Sequence, residues 1–296
     1  MIDFKQYINT HLLQRITIGQ SGASVYELNN SCIAKHIQRK TLESNSLWDS
    51  YQCEFLFYTH FSSSTYSFLP KIYHCYQSDD EIQIIMKKYR PLNRYHLEDG
   101  LLEKILAVLA QIHCLPIPDF LPNVDAKPLT LDQADISQYL LGWQEVVEEH
   151  GQEFSKCDLY KIAENINGIN KKVHSTKRAL CHGDFHFENL LEDDHGNIIV
   201  CDWQNISPGH VSGDISFLLS RLSADGCNIN KEKAIQIYCN SSNTDITQDE
   251  IAIQMSLANL NTSFMFWHHY LHGCSAERVR DIFEKMVLDL DYLLKT

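Results

Sequence analysis

The segments Cys181–Asn189 (CHGDFHFEN) and Ile198–Trp203 (IIVCDW) are the most informative part of this 296-residue sequence. Leu190–Glu192 and the apolar start of the second segment are typical of short buried strands. Asp193–Asn197 (DDHGN), which lies between them, has strong turn-forming chemistry. The sequence therefore predicts a β-hairpin over this region.

Three polar residues lie at the open end of the predicted hairpin. Folding the hairpin about its midpoint places Asn189 opposite Asp202, while Asp184 lies on the loop that leads into the first strand. Carboxylate and amide oxygens can hold a hard cation and orient a hydroxyl group, and phosphoryl transfer requires that arrangement. The alternative is a surface hairpin whose Asp and Asn residues only form turns.

A small-residue turn near the N-terminus is a second feature with chemical meaning. Arg15–Leu28 (RITIGQSGASVYEL) predicts a strand, a turn and a second strand. At such a turn Gly22 would let backbone N–H groups approach phosphate oxygens, and the hydroxyls of Ser21 and Ser24 would add donors. A turn with two glycines is weak evidence by itself, because most such turns are ordinary hairpins.

Two charged residues of opposite sign follow this turn in apolar surroundings. Lys35 lies in Cys32–Ile37, and Glu54 lies in the mostly apolar Tyr51–Tyr58. A Lys within a strand either lies on an edge strand, where its charge keeps the sheet soluble, or is a buried ammonium that needs a carboxylate partner. Glu54 is the predicted partner, and Glu43, in a polar stretch, is the alternative.

The pattern H-G-D-x4-N followed by D-W resembles the catalytic and metal-binding segments of the aminoglycoside phosphotransferase and choline kinase families, which are relatives of the protein kinases. Protein kinases use the same Asp-to-Asn spacing, with the Asp as base and the Asn on magnesium. The resemblance implies that Asp184 is the catalytic base and that Asn189 and Asp202 bind Mg²⁺. It also implies that Lys35, oriented by Glu54, holds the phosphates of the nucleotide.

The resemblance covers roughly residues 15–219 and implies a fold: α+β, two-lobed and protein-kinase-like, with a small β-rich N-lobe and a large helical C-lobe. We expect the N-lobe at residues 1–90, with the phosphate loop near its start and the hinge at its end. The C-lobe is then 91–296, with the catalytic hairpin at 181–203 and the acceptor site. The spacing of apolar residues agrees with this division. Short strand patterns dominate the predicted N-lobe, and helical spacing dominates the predicted C-lobe.

Several helices are predicted in the second part of the chain. Apolar residues from Leu102 to Ile112 recur at helical spacing on one face. Four of the seven prolines fall in 116–130, which predicts a loop. The remaining predicted helices cover about 132–150, 156–174, 248–272 and 276–294.

Glu81–Tyr89 (EIQIIMKKY) resembles the last strand of the N-lobe and the hinge that follows it. Members of the resembling families hydrogen-bond the base there through backbone groups, so Lys87 and Tyr89 are predicted to bind the nucleotide. The basic character of this hinge leaves both ATP and GTP open.

Three other polar residues are predicted to be structural. His113, near the end of a predicted helix, is interpreted as a hydrogen-bonded core residue, and His182 as a brace for the catalytic loop. Asp214 begins an apolar helix, so capping of that helix would explain it. It could also fix the catalytic loop.

Composition limits the partners. Twenty-five basic against thirty-eight acidic residues give a net charge of −13, with no Lys/Arg block, so we expect no nucleic acid and no membrane partner. The N-terminus lacks a signal-peptide layout, and no apolar run is long enough to span a bilayer. Ten cysteines without C-x-x-C spacing predict buried, reduced thiols in a cytoplasmic protein. The oligomeric state is open.

The leading hypothesis is a Mg²⁺-dependent small-molecule O-phosphotransferase that moves the γ-phosphate of ATP or GTP to a hydroxyl. A small acceptor is favoured because the full G-x-G-x-x-G, D-F-G and A-P-E motifs of protein kinases do not occur in the sequence. One alternative is a non-catalytic nucleotide-binding module. Another is a zinc hydrolase, suggested by His182-x3-His186 and His268-x3-His272, although no H-E-x-x-H occurs.

The acceptor is the least determined part of this hypothesis. The resemblance implies a site against the helical lobe, lined by carboxylates in aminoglycoside enzymes and by aromatic residues in choline kinases. A solvated helix face and a packed core are the respective alternatives. The candidates here are Glu145, Glu148, Glu149 and Glu153, and Phe264, Phe266, Trp267 and Tyr270. An aminoglycoside-like acceptor, and with it antibiotic resistance, is preferred to choline or another small amino-alcohol, while a metabolic role stays open.

Overall fold

The structure is a computed structural model that describes residues 14–16, 22–28, 31–62, 66–92, 97, 99–122, 129–150, 155–174, 177–242 and 245–296. These residues divide into two compact units. The first unit contains the described residues of Met1–Pro122, Ala179–Gly209 and Asp214–Asn243, and the second those of Asn123–Arg178, His210–Gly213 and Thr244–Thr296. This division differs from the lobe boundary predicted at residue 90, which stays a prediction.

The first unit contains a five-stranded antiparallel sheet in the order β1-β2-β3-β5-β4. Its strands are β1 (Gln14–Ile16), β2 (Ser24–Leu28), β3 (Cys32–Gln38), β4 (Ile72–Gln77) and β5 (Glu81–Lys87). β5 is buried along its centre, as is usual for a strand that is covered on both faces. The strands predicted within Arg15–Leu28 and around Lys35 are confirmed.

Helix α1 (Asn45–His60) follows the third strand and places Glu54 among apolar side chains. The hydroxyl of Ser44 accepts a hydrogen bond from the backbone N–H of Leu47, at 3.3 Å, and so caps the start of the helix. Three- and four-residue spacing keeps the buried side chains on one face. They are Trp48, Tyr51, Glu54, Phe57 and Tyr58.

The β-hairpin predicted for the catalytic segment is confirmed as a structural element. Strands β8 (Leu190–Glu192) and β9 (Ile198–Val200) are antiparallel, and the side chain of Asp193 accepts hydrogen bonds from two backbone N–H groups of the turn. β6 (Arg90–Pro91) pairs with β8, and β7 (Ala179–Cys181) pairs with β10 (Ser207–Gly209).

The predicted register of this hairpin is wrong by one residue. Leu190 pairs with Val200, so Asn189 lies opposite Cys201 rather than Asp202. The backbone N–H of Cys201 donates to the carbonyl of Asn189 at 3.0 Å, which extends the ladder by one step. The five-residue turn Asp193–Asn197 is centred on His195, and folding about that residue pairs Asn189 with Cys201, so the prediction misplaced the centre of the turn.

Helices α2 (Asp99–His113), α5 (Val211–Ala224) and α6 (Lys231–Ser241) complete the first unit, to which α5 belongs from Asp214 onwards. The helix predicted from Leu102 to Ile112 is confirmed.

The second unit is helical in its described part. Its helices are α3 (Gln133–Glu149), α4 (Lys156–His174), α7 (Gln248–Thr262), α8 (His268–Leu271) and α9 (Ala276–Lys295), as predicted in outline. The single helix predicted over 248–272 is interrupted by a π-helical turn at Ser263–Trp267. This turn lets the carbonyl of Phe264 accept a hydrogen bond from Trp143 Nε1 at 3.0 Å, inside the helical core.

The cysteine prediction is partly wrong. All ten cysteines are free, but only Cys181 is buried, while Cys114 and Cys157 are exposed. An apolar run in a half-covered element has an outer face, so a cysteine within it need not enter the core. No helix among the described residues is long and apolar enough to cross a membrane.

Candidate active site

Lys35 contacts two carboxylates in the first unit. Its Nζ atom lies 2.7 Å from Glu54 Oε2 and 2.7 Å from Asp202 Oδ1, and 4.9 Å from the ring centroid of Tyr51. Glu54 is only 1% exposed, whereas Glu43 is exposed. The structure therefore brings together Lys35, Glu54 and Asp202. Of the two glutamates predicted as candidates, Glu54 rather than Glu43 pairs with Lys35.

The charges of this cluster are coupled. Burial alone would lower the pKa of Lys35, but the negative charges of Glu54 and Asp202 outweigh burial and raise it, so the ammonium form is kept. Burial raises the pKa of Glu54, and the Lys35 charge partly offsets that effect. With all three groups ionised, one cation faces two anions, and the excess negative charge attracts a further cation.

Asp202 has an unusual backbone conformation. Its φ of 65° and ψ of 60° are left-handed, and it is the one non-glycine residue with positive φ among the described residues. This conformation costs an L-residue roughly 1–2 kcal/mol. The contact with Lys35 and the burial of the next residue, Trp203, help to offset that cost.

Trp203 connects the catalytic hairpin to helix α1. The ring is fully buried, is stacked on Phe57 at 4.0 Å between centroids, and lies 4.7 Å from the ring of His182. Phe57 follows Glu54 by three residues on the same helical face. The stack therefore helps to hold the helix where Glu54 reaches Lys35.

The catalytic loop is fixed by Asp214. The two carboxylate oxygens accept hydrogen bonds from the backbone N–H groups of His182 and Gly183, at 2.7 and 2.9 Å. Gly183 has a φ of 78°, and an added Cβ would lie 2.2 Å from the carbonyl oxygen of Asn205, so only glycine is tolerated there. The capping explanation of Asp214 is wrong, because α5 begins at Val211 and both oxygens face the loop.

His113 supports Asp214 from helix α2. Its Nε2 atom lies 3.1 Å from Asp214 Oδ2, and its Nδ1 atom lies 2.8 Å from the hydroxyl of Tyr238. Burial alone would raise the pKa of Asp214, but the hydrogen bonds from His113 and from the backbone of His182 outweigh it, so the pKa is lowered and the carboxylate is kept. His113 is buried and hydrogen-bonded, as its structural interpretation predicts.

His182 braces the same loop. Its Nε2 atom lies 3.0 Å from the carbonyl oxygen of Cys201, and its Nδ1 atom accepts a hydrogen bond from the backbone N–H of Asp184 at 3.3 Å. Burial lowers the pKa of His182, which favours the neutral ring that this pair of bonds requires. The bracing role is confirmed by these contacts.

Asp184 presents an oriented carboxylate. Asn189 Nδ2 donates to Asp184 Oδ2 at 3.2 Å and to its backbone carbonyl at 2.8 Å, and His186 Nε2 lies 3.4 Å from Oδ1. The contact with His186 lowers the pKa of Asp184, so the group is ionised at neutral pH. Its side chain keeps 25% exposure, so a hydroxyl group can reach it.

Asn189 and Asp202 have the donor chemistry that Mg²⁺ requires. The amide nitrogen of Asn189 is turned towards Asp184, so its amide oxygen is the atom left for a cation. Asp202 gives one oxygen to Lys35, and 30% of its side chain is exposed. Amide and carboxylate oxygens are the ligands of a hard cation, so these residues fit Mg²⁺.

One other cluster in the first unit consists of residue types that can bind a metal ion, but its polar atoms form a hydrogen-bond network. Ligand atoms of His113, Cys181 and Asp214 lie within 4.8 Å of one another, the one such group found among the described residues. Both nitrogens of His113 and both oxygens of Asp214 already have partners. The histidine pairs that suggested a zinc hydrolase are not part of this group.

The phosphate turn is described only in part. Ser21 lies outside the described residues, and Gly22 has a φ of 80°, which favours glycine. Ser24 pairs with His36, whereas Val25 pairs with Lys35. Because paired residues share a face of the sheet, the side chain of Ser24 lies on the face opposite to Lys35.

The lysines of the hinge are already paired with carboxylates. Lys87 Nζ lies 2.8 Å from Asp194, and Lys88 Nζ lies 2.6 Å from Glu27. The hydroxyl of Tyr89 accepts a hydrogen bond from the backbone N–H of Lys71 at 2.8 Å. The basic hinge seen in the sequence is therefore electrically balanced, and its charge does not select a base.

Sequence reasoning missed an apolar surface beside Lys35. Lys35 pairs with Val25 and Ile84, and two residues along β3, Ile33 pairs with Met86. These side chains share the Lys35 face of the sheet because strand residues alternate between faces. Strand alternation was the available signal, and it becomes specific only once the register is known.

The predicted acceptor residues lie in the second unit, except Glu153, which lies outside the described residues. Glu145 is exposed. Glu148 is paired with Lys156 at 2.8 Å, and Glu149 with His272 at 2.6 Å. The guanidinium carbon of Arg278 lies over the ring of Trp267, 5.8 Å from the ring centroid. Phe264 is buried, whereas Phe266 and Tyr270 are exposed.

Comparisons with known proteins identify the fold. Solved structures with the same fold include an ADP-bound aminoglycoside phosphotransferase APH(2'')-Ib (15% identity, 98% of this chain and 97% of that chain covered, TM-score 0.56). Choline kinase LicA from Streptococcus pneumoniae is 15% identical, with 98% of this chain and 97% of that chain covered and a TM-score of 0.54. An ethanolamine kinase from Plasmodium vivax is 12% identical, with 99% of this chain and 85% of that chain covered and a TM-score of 0.55. The predicted α+β, protein-kinase-like fold is confirmed.

A comparison with curated protein sequences finds no match. The sequence model of the family described as "Phosphotransferase enzyme family" (APH) matches residues 70–245, which is more than half of the chain and includes the whole catalytic hairpin. The chain belongs to the APH phosphotransferase enzyme family.

Proposed function

We propose that this chain is a Mg²⁺-dependent small-molecule kinase that moves the γ-phosphate of ATP or GTP to a hydroxyl group. The observation that carries the proposal is the Lys35–Glu54–Asp202 cluster in the same unit as the Asp184–Asn189 loop. Family membership supports phosphotransfer. A non-catalytic nucleotide-binding module would not need an ionised, oriented carboxylate at Asp184.

Asp184 is the proposed catalytic base. Its carboxylate accepts the hydrogen bond of the acceptor hydroxyl and takes the proton as the new O–P bond forms and the bond between the γ-phosphorus and the bridging oxygen breaks. Asn189 and His186 hold the two carboxylate oxygens, so the base needs little reorganisation. Its lowered pKa keeps the proton-accepting form available at neutral pH.

Lys35 is proposed to hold the nucleotide phosphates, with Glu54 fixing the direction of its ammonium. Asn189 and Asp202 would hold Mg²⁺, which neutralises triphosphate charge when it is bound. Gly22 and the phosphate turn stay predicted contacts, as do Lys87 and Tyr89 at the hinge. The apolar face formed by Val25, Ile33 and Met86 is where we place the base, since it adjoins Lys35 on the sheet.

For the acceptor we propose a polycationic, aminoglycoside-like molecule bound by Glu145, Glu148 and Glu149. The net charge of −13 and the aminoglycoside enzymes among similar structures support it. The second candidate is choline or another small amino-alcohol. Trp267 favours that candidate. Its ring makes a cation–π contact with Arg278, and the same kind of contact can bind a quaternary ammonium.

Replacing Asp184 with Asn should remove turnover but leave nucleotide binding intact, because the base touches the acceptor and not the triphosphate. We expect kcat to fall by about 10²–10⁴-fold. The assay measures ADP release and phosphate-ester formation over a panel of aminoglycosides and amino-alcohols. Asp119→Asn is the control, because it makes the same Asp-to-Asn substitution at an exposed residue. A variant at wild-type rate would remove Asp184 from the role of base.

Asp202→Ala should abolish the Mg²⁺ dependence of nucleotide binding, because it removes the anionic metal ligand. Asn189→Ala should have a smaller effect, since an amide is the weaker ligand. Calorimetric titration of ATP and GTP with and without Mg²⁺ measures this and also gives the nucleotide preference. Equal Mg²⁺-dependent affinities for the wild type and Asp202→Ala would contradict the metal site.

Lys35→Ala and Glu54→Gln should each raise the nucleotide KM or lower kcat, and the two effects should be non-additive. The reason is that Glu54 acts only through Lys35, and contacting residues typically couple by about 0.5–3 kcal/mol. Glu43→Gln is the matched control and should be silent. Additive losses in the double variant would show that Glu54 does not act through Lys35.

Changing Glu145, Glu148 and Glu149 together to Gln should raise the acceptor KM and spare that of the nucleotide. The effect should shrink with added salt, which screens exposed charges. The control triple variant changes Glu164, Glu277 and Glu284, exposed carboxylates of the same unit. If the triple variant matches the wild type on every accepted substrate, the amino-alcohol acceptor replaces the aminoglycoside-like one.

A further inference from the structure

Tyr238 is a buried tyrosine whose hydroxyl lies next to the support of the catalytic loop. It belongs to helix α6, and its hydroxyl lies 2.8 Å from Nδ1 of His113. The other ring nitrogen of His113 faces Asp214, whose two oxygens hold the backbone of His182 and Gly183. All of these residues belong to the first unit.

The direction of the hydrogen bond between Tyr238 and His113 decides the state of the histidine. A neutral imidazole has one N–H donor and one acceptor. Asp214 has lone pairs only, so the bond to Asp214 requires the proton of His113 to be on Nε2. In a neutral ring Nδ1 must then accept, and the hydroxyl of Tyr238 is the group that can donate to it.

The surroundings of Tyr238 support this direction. Burial raises the pKa of its phenol, so the hydroxyl keeps its proton, while a side-chain hydrogen bond with Ser242 acts in the opposite sense. A protonated phenol has one hydrogen to donate, and Nδ1 of His113 lies within hydrogen-bond distance of it, at 2.8 Å. The series Tyr238, His113 and Asp214 then has each donor facing an acceptor.

We propose that Tyr238 is a positioning residue that fixes the Nε2–H tautomer of His113 and thereby the position of the catalytic loop. Without the hydroxyl, Nδ1 of His113 loses its donor in a buried site, and the ring can take the other tautomer or rotate. Asp214 would then lose one of its three donors, and the backbone of His182 and Gly183 would be held less firmly next to Asp184. The effect on turnover rests on the proposed function, whereas the tautomer does not.

The experiment uses the full chain labelled with ¹⁵N and compares wild type with Tyr238→Phe. Long-range ¹H–¹⁵N spectra report the tautomer of His113, which is assigned by its absence in His113→Gln. We expect the Nε2–H tautomer in the wild type. In Tyr238→Phe we expect a changed His113 signal, shifted amide resonances of His182 and Gly183, and a kcat lower by about 3–10-fold with unchanged nucleotide affinity, as for loss of one hydrogen bond.

Two controls separate this role from general packing. Tyr160→Phe removes an exposed hydroxyl that bonds to Gln144, and it should change none of these readouts. His113→Gln can retain a donor near the place of Nε2, so it should keep more activity than His113→Asn. A wild-type His113 that is protonated on Nδ1 would overturn the proposal, and so would Tyr238→Phe with unchanged His113 and loop resonances. If the resonances change as expected but no acceptor is phosphorylated, the proposed function fails and the tautomer assignment stands.

Discussion

The structure depends on one buried cation that is shared by two anions. Lys35, on the third strand of the sheet, contacts Glu54 on helix α1 and Asp202 after the catalytic hairpin, each at 2.7 Å. These elements are 19 and 167 residues from Lys35 in the sequence. Breaking a buried ion pair from one side typically costs about 3–5 kcal/mol, because the remaining charge is left without compensation. The same contact therefore stabilises the first unit and sets the geometry of its site.

A second constraint fixes the loop that carries Asp184. Asp214 receives two backbone N–H groups of the loop and the ring of His113, while His182 connects the loop to the carbonyl of Cys201. These bonds leave the side chain of Asp184 to Asn189, to His186 and to the proposed acceptor hydroxyl. Buried groups thus hold the backbone of the loop, and the partly exposed carboxylates of Asp184 and Asp202 are the groups for which we propose chemistry.

Local chemistry in the sequence was sufficient to predict the hairpin and the strand that carries Lys35. Features that depend on distant partners could not be predicted. The pairing of Asn189 with Cys201 was available from the centre of the five-residue turn, whereas the contact of Lys35 with Asp202 joins residues 167 positions apart. The basic hinge became neutral because Lys87 and Lys88 pair with residues 107 and 61 positions away.

Hydrogen–deuterium exchange of Lys35→Met against the wild type tests the shared cation most directly. Removing the ammonium leaves Glu54 and Asp202 to repel each other, so exchange should become faster both in Asn45–His60 and in residues 201–205. Lys161→Met is the matched control, since it removes an exposed ion pair to Asp291 and should leave both segments unchanged. Wild-type exchange rates in both segments of a folded Lys35→Met protein would contradict the account.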